Sequence, residues 1–211
     1  MTVRRPPQIS LKKKPKQARS AELVAAILEA AVQVLEEEGA SRFTTARVAE
    51  KAGVSVGSLY QYFPNKAAIL FRLQRDEWRQ TTEQWKAILG DSGIPPFERL
   101  RLLVHTFIQS ECDEAAVRVA LDDAAPLYRN APEAREGRAE GDRAIEKFMR
   151  EAIPDATDEI RELAGDLIST TLTAVGKTFS ETPRTAVEIE DYADAIADMF
   201  CAYLKTLNYD L

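Results

Sequence analysis

The chain has 211 residues, 45% of them apolar and 29% charged, with a net charge of −6. That balance fills a globular core and argues against a disordered or membrane-embedded chain. Two distant cysteines and a single histidine exclude a structural zinc site of the usual kind, and no metal or other cofactor is expected. No apolar region follows "RRPPQ", and the uncharged run 167–176 is too short to span a bilayer, so a cytoplasmic protein with reduced thiols is expected.

The charge is unevenly placed. Residues 1–70 carry 11 Lys and Arg against 6 Asp and Glu, while residues 71–211 carry 17 against 28. A basic head on an acidic body points to a polyanionic partner for the head. Residues 1–18, with "RRPP" and "KKKPK", read as a flexible basic arm.

From about Ser20 to Glu38, Leu23, Ile27, Ala30, Ala31, Val34 and Leu35 recur at three- and four-residue spacing, which predicts an amphipathic helix closed by Gly39. "FTTARVAEKAG" predicts a shorter second helix. Thr44 is its N-cap, Val48, Ala49 and Ala52 form its inner face, and Gly53 ends it. A third helix of about two turns follows from Val56 to Phe63. Pro64 stops it, and Asn65 is placed to cap a fourth.

Helix, tight glycine turn, helix is the helix-turn-helix pattern, in which the second helix reads base edges in the major groove. Val54 and Leu59 serve as apolar anchors. Ser55, Val56, Gly57, Ser58 and Gln61 stand where bases would be, and Tyr60 and Tyr62 can place hydroxyls on phosphates. Lys66 with the free N–H groups of the fourth helix makes an anion site. Thr44, Thr45 and Arg47 at the start of the second helix complete the candidate contacts to double-stranded DNA. The competing reading, simple packing, is the better one for Leu59 and Phe63.

The segment "FTTARVAEKAGVSVGSLYQYFPNKAAIL", preceded by a helix ending in Gly39, resembles the DNA-binding head of the tetracycline-repressor (TetR) family over about residues 20–70. Thr44, Val48-Ala49, Ala52 to Ser55, Gly57, Leu59-Tyr60, Tyr62-Phe63 and Lys66 carry the match. The resemblance implies an all-helical homodimeric repressor on a pseudo-palindromic operator. It also implies a small-molecule pocket in the C-terminal domain and a dimer interface made by the last two helices.

The rest of the chain reads as helices without sheet, about nine in all. The fourth runs to about Leu89, with Phe71, Trp78 and Trp85 on one stripe. After "GDSG", Pro95-Pro96 opens a fifth that runs to about Cys112, and a sixth reaches about Arg129. A seventh runs from Pro132 to about Ala152, and an eighth is capped by Asp155 or Thr157 and reaches about Ser180. Thr185 and Glu188 form a capping box for a ninth. The expected division is an arm (1–18), a helix-turn-helix domain (19–65) and a ligand-binding and dimerisation domain (66–211).

Pocket candidates are polar or aromatic residues on apolar helix faces: Trp85, His105, Asp122, Tyr128 and Thr171. Each has a plain alternative, as core, as a surface pair or as a helix residue bonding its own preceding turn. An enzyme is not expected: there is no Gly-rich phosphate loop, GxSxG or HExxH. Two functions stay open. One is a repressor released by a small-molecule effector. The other is a ligand-independent DNA-binding dimer whose body serves dimerisation or protein partners.

Overall fold

The computed structural model describes residues 18–124 and 132–209. Every regular element among them is helical: α1 Ala18–Glu38, α2 Thr45–Lys51, α3 Val56–Tyr62, α4 Lys66–Gly90, α5 Pro96–Asp113, α6 Ala115–Ala124, α7 Pro132–Ala152, α8 Asp158–Ser180 and α9 Ala186–Tyr209. A single 3-10 turn, Ala40–Arg42, lies between α1 and α2. Among the described residues no helix is long and apolar enough to cross a membrane. The expected basic arm lies outside the described residues, apart from Ala18, where α1 begins.

The chain divides into two compact units. The first holds α1 to α3, α4 as far as Glu77, and most of α6; the second holds the rest of α4, α5, α7 from Arg135, α8 and α9. The first unit therefore extends past residue 65. The reason is that Ala67, Ala68, Ile69, Leu70 and Phe71 at the start of α4 are all buried and belong to its core.

In the first unit, α1 buries Val24, Ile27, Ala30, Ala31, Val34 and Leu35, the face the periodicity predicts, with Val24 rather than Leu23 fully inside. Gly39 follows with φ 74°, a left-handed conformation that suits glycine. Phe43, Val48, Ala49, Leu59 and Phe63 complete the packing.

In the second unit, α5 packs against α8 and α9. Leu103, Val104, Phe107 and Ile108 from α5 meet Ile168, Leu172, Ala193, Ala197 and Leu204 in one core. Two α8 glycines set its approach to its neighbours. A Cβ on Gly165 would lie 2.7 Å from Ile145 Cγ2, and one on Gly176 would lie 2.8 Å from Phe107 Cε1. Arg99 is buried at 2% exposure. It donates to the Leu89 carbonyl and, at 2.7 Å, to the Glu151 carboxylate, with its guanidinium over the Phe148 ring. The predicted box at the start of α9 forms: the Thr185 N–H donates to Glu188 Oε2 at 2.8 Å and the Glu188 N–H to Thr185 Oγ1 at 3.3 Å. Those bonds from Thr185 hold the Glu188 carboxyl below its ordinary range.

Candidate DNA-binding interface

The head is built by caps and one turn. Thr44 has extended backbone, and its Oγ1 accepts the Arg47 N–H at 3.3 Å, which starts α2. After Lys51 the chain reverses. The Gly53 N–H donates to the Glu50 carbonyl at 3.0 Å and the Val54 N–H to the Ala49 carbonyl at 2.9 Å. Gly53 adopts φ 65°, which a side chain would strain. Ser55 then caps α3, its Oγ accepting the Ser58 N–H at 3.0 Å. Asn65 Oδ1 accepts the Ala68 N–H at 2.9 Å and starts α4 behind the Pro64 stop.

The two short helices are also tied by side chains. Thr45 Oγ1 and the Tyr60 hydroxyl are 3.0 Å apart, a bond across the turn between residues 15 apart in sequence. Leu59 and Phe63 are fully buried. On the outside stand Val56 and Tyr60, each 40% exposed, with Gly57, Gln61 and Lys66. These five present one apolar group, a bare backbone, an amide, a phenol and a cation from a stretch of eleven residues.

Other candidates have partners of their own within the head. Ser55 and Ser58 turn their hydroxyls to each other at 2.8 Å, so the cap uses groups that the sequence pattern places at bases. Tyr62 is only 6% exposed, and its ring belongs to the packing of the head. Arg47 pairs with Glu38 of α1. It lies two residues beyond Thr45, about 200° around the helix, so it faces α1 while Thr45 meets Tyr60. Lys51, one turn further, pairs likewise with Glu37 at 2.7 Å.

Three of the five pocket candidates of the body have described side chains. Trp85 is 9% exposed and packs edge-on against Phe107, ring centroids 5.8 Å apart, with no acceptor for its Nε1–H among the described residues. His105 Nε2 stands 3.0 Å from Asp194 Oδ1, a link from α5 to α9 beside the Arg101–Asp198 pair. Thr171 is half-buried on α8. The Asp122 side chain and Tyr128 lie outside the described residues. A cleft of about 590 Å³ between α7 and α8 is lined by Asp142, Arg143, Glu146, Arg161, Asp166 and Ser169 among others, and a second of about 280 Å³ by Lys86, Leu89 and Lys147. Trp85, His105 and Thr171 line neither. Among the described residues no group of three His, Cys, Asp or Glu could hold a metal ion.

Known families account for both parts of the chain. The description "Bacterial regulatory proteins, tetR family" matches residues 27–73, and "Tetracyclin repressor-like, C-terminal domain" matches residues 95–207, more than half of the chain. The chain belongs to the TetR family. This TetR-family chain is 36% identical over 106 residues to the nucleoid occlusion factor SlmA of Vibrio campbellii, covering 49% of this chain and 53% of that protein. It is 32% identical over 96 residues to the transcriptional regulator BetI of Stenotrophomonas maltophilia, covering 45% and 49%. The matches therefore span about half the length of these curated relatives. The fold resembles the fatty acid degradation regulator FadR of Bacillus halodurans, with a TM-score of 0.67 at 18% identity over 89% of this chain and 97% of that one. It also resembles FadR of Bacillus subtilis solved with stearoyl-CoA, with a TM-score of 0.65 at 18% identity over 84% and 97%.

No sequence signal points to the Thr45–Tyr60 bond or to the buried Arg99, because both depend on partners distant in the chain. Gly165 and Gly176 are visible as glycines inside a predicted helix, a pattern that signals close approach.

Proposed function

We propose that this chain is a transcriptional regulator that binds a pseudo-palindromic DNA operator as a homodimer in the cytoplasm, and that a small molecule bound in its body releases it. The observation that carries the DNA-binding reading is the Gly53 turn, which sets α3 against α2 with Val56, Tyr60 and Gln61 facing outward. Lys66 and Tyr60 are the phosphate contacts, and Gln61, Val56 and Gly57 face bases. Thr44 and Thr45 border the same surface.

The dimer reading is supported by apolar groups left exposed on the last two helices: Leu163 and Leu167 on α8, Val187 and Met199 on α9. Paired with their symmetry mates they would form an isologous four-helix contact. Helix α4 is the candidate transmitter, since one continuous helix carries Lys66 at its start and Trp85 in its last turns. The effector would act by preferring one of two α4 positions, because two half-sites about 34–36 Å apart tolerate little change in spacing. The named relatives include a protein solved with stearoyl-CoA, which makes an acyl-CoA the first probe to try.

Selection from a random duplex pool, with sedimentation of the selected complex, tests the reading. An inverted repeat bound by two chains is expected; one chain per site, or no enriched sequence, overturns it. The ligand-independent regulator is the second reading, favoured by the filling of the Trp85–Phe107 contact and by clefts that these residues do not line. Thermal unfolding with stearoyl-CoA and other small molecules separates the two. A raised melting temperature with loss of operator binding supports induction, and no response across the series supports the second reading.

A further inference from the structure

The first turn of α3 is unusual in what it leaves outward. Its two serines share one hydrogen bond between their hydroxyls, 2.8 Å apart, and Ser55 Oγ accepts the Ser58 N–H at 3.0 Å, which holds both side chains along the turn. What remains between them is Val56, the first residue of the helix, 40% exposed, and Gly57, also exposed. A solvent-facing valine followed by a glycine favours neither helix formation nor solubility.

Gly57 has no reason within the chain to be glycine. Its φ is not left-handed, unlike those of Gly39 and Gly53. A Cβ there would meet only Ser55 Oγ, at an ordinary 3.8 Å, whereas Gly165 and Gly176 have side chains pressed against them. Backbone conformation and packing would both accept alanine, the better helix former. With no side chain at this exposed position, the backbone of the first turn of α3 is open to close approach by a partner surface.

Resting on the DNA-binding reading above, we propose that Val56 reads the C5-methyl group of a thymine in the major groove, and that Gly57 stays bare so that α3 can approach closely enough for that contact. The thymine methyl is the apolar feature of the major groove and the natural mate of an exposed aliphatic side chain. The N-terminal residues of a recognition helix are the ones that reach base edges. Val56 is one turn from Tyr60 on the same face, and the Thr45–Tyr60 bond at 3.0 Å fixes the direction of that face.

Full-length protein is used to select a site from random duplex DNA, and each thymine of that site is then replaced singly by deoxyuridine, which lacks only the methyl group. At one thymine per half-site the wild type loses about fourfold in affinity, the scale of one buried methyl group. Val56→Ala, with an unchanged melting temperature, binds the thymine and uracil forms of that position equally. Gly57→Ala weakens binding by roughly tenfold, the scale of one lost base contact, while its melting temperature holds or rises. The proposal is overturned if no thymine is methyl-sensitive, if Val56→Ala remains as methyl-sensitive as the wild type, or if Gly57→Ala binds as tightly as the wild type. If selection enriches no sequence at all, the DNA-binding reading falls as well.

Discussion

The recognition turn and the helical body use small residues and polar groups in opposite ways. In the turn, α3 is seven residues long and is started by a serine, ended near a proline and pinned by Leu59, with most of its surface outside. In the body, α8 runs for 23 residues, and Gly165 and Gly176 let it press against Ile145 and Phe107. Polar groups follow the same contrast. Those of the turn cap helix ends within a few residues, as Ser55 does for Ser58. Those of the body reach far, as Arg99 does to Glu151 and His105 to Asp194. The exposed turn is started and ended by local caps and joined by one longer bond, Thr45 to Tyr60. A segment that must hold a shape is held by distant packing.

That contrast can be broken at its strongest point first. Leu59→Ala empties a fully buried site in the head and should cost about 2–5 kcal/mol; chemical denaturation measures it, and operator binding should be lost with it. If the variant unfolds at wild-type denaturant concentrations, Leu59 does not anchor the turn. Gly176→Val should destabilise the protein by about 1–3 kcal/mol through overpacking against Phe107. Because the strain lies in the second unit, hydrogen exchange should quicken in α5 and α8 and stay as it is in α3. Uniform quickening would mean that the head shares the packing of the body.

Ser55→Ala removes a cap and should cost about 1 kcal/mol. Since the Ser55 hydroxyl is occupied within the chain, affinity should fall while the selected sequence stays the same; Gln61→Ala should do the reverse and alter the preferred sequence. A shifted preference for the serine variant would return Ser55 to the base-reading set. Smallest in stability is Lys66→Ala, an exposed change that should leave melting untouched and lower the salt slope of DNA binding by about 1.8, one phosphate contact from each chain of the dimer. An unaltered slope would place Lys66 away from the phosphates.

Much of the head is legible in the amino-acid sequence. Thr44, Asn65 and Thr157 cap α2, α4 and α8 where their spacing places them, and Gly39 and Gly53 take the positive φ expected of helix-ending glycines. Such signals are short-ranged, because a cap or turn is decided by residues within four positions of each other. The candidate site is legible as a surface but less so in its parts. Ser55, Ser58, Tyr62 and Arg47 have the chemistry for DNA, yet their own neighbours engage or bury them. Whether a hydroxyl faces a base or a cap depends on a rotamer, and composition carries no rotamer.

The body shows the other limit. The helices and their apolar faces follow from period 3.6, but which faces meet does not. Trp85 meets Phe107 across 22 positions, and Arg99 finds Glu151 across 52. The sequence by itself determined that the chain is helical, where most helices begin and end, and that residues 44–66 form a helix-turn-helix, because these follow from propensity, capping and periodicity along a few turns. Only the tertiary structure decided which candidate side chains remain outward, that a side chain at position 57 would meet only Ser55, and that α8 lies close against α5 and α7. Those facts depend on atoms brought together from distant parts of the chain, where packing and hydrogen bonding select among arrangements that the local sequence allows equally.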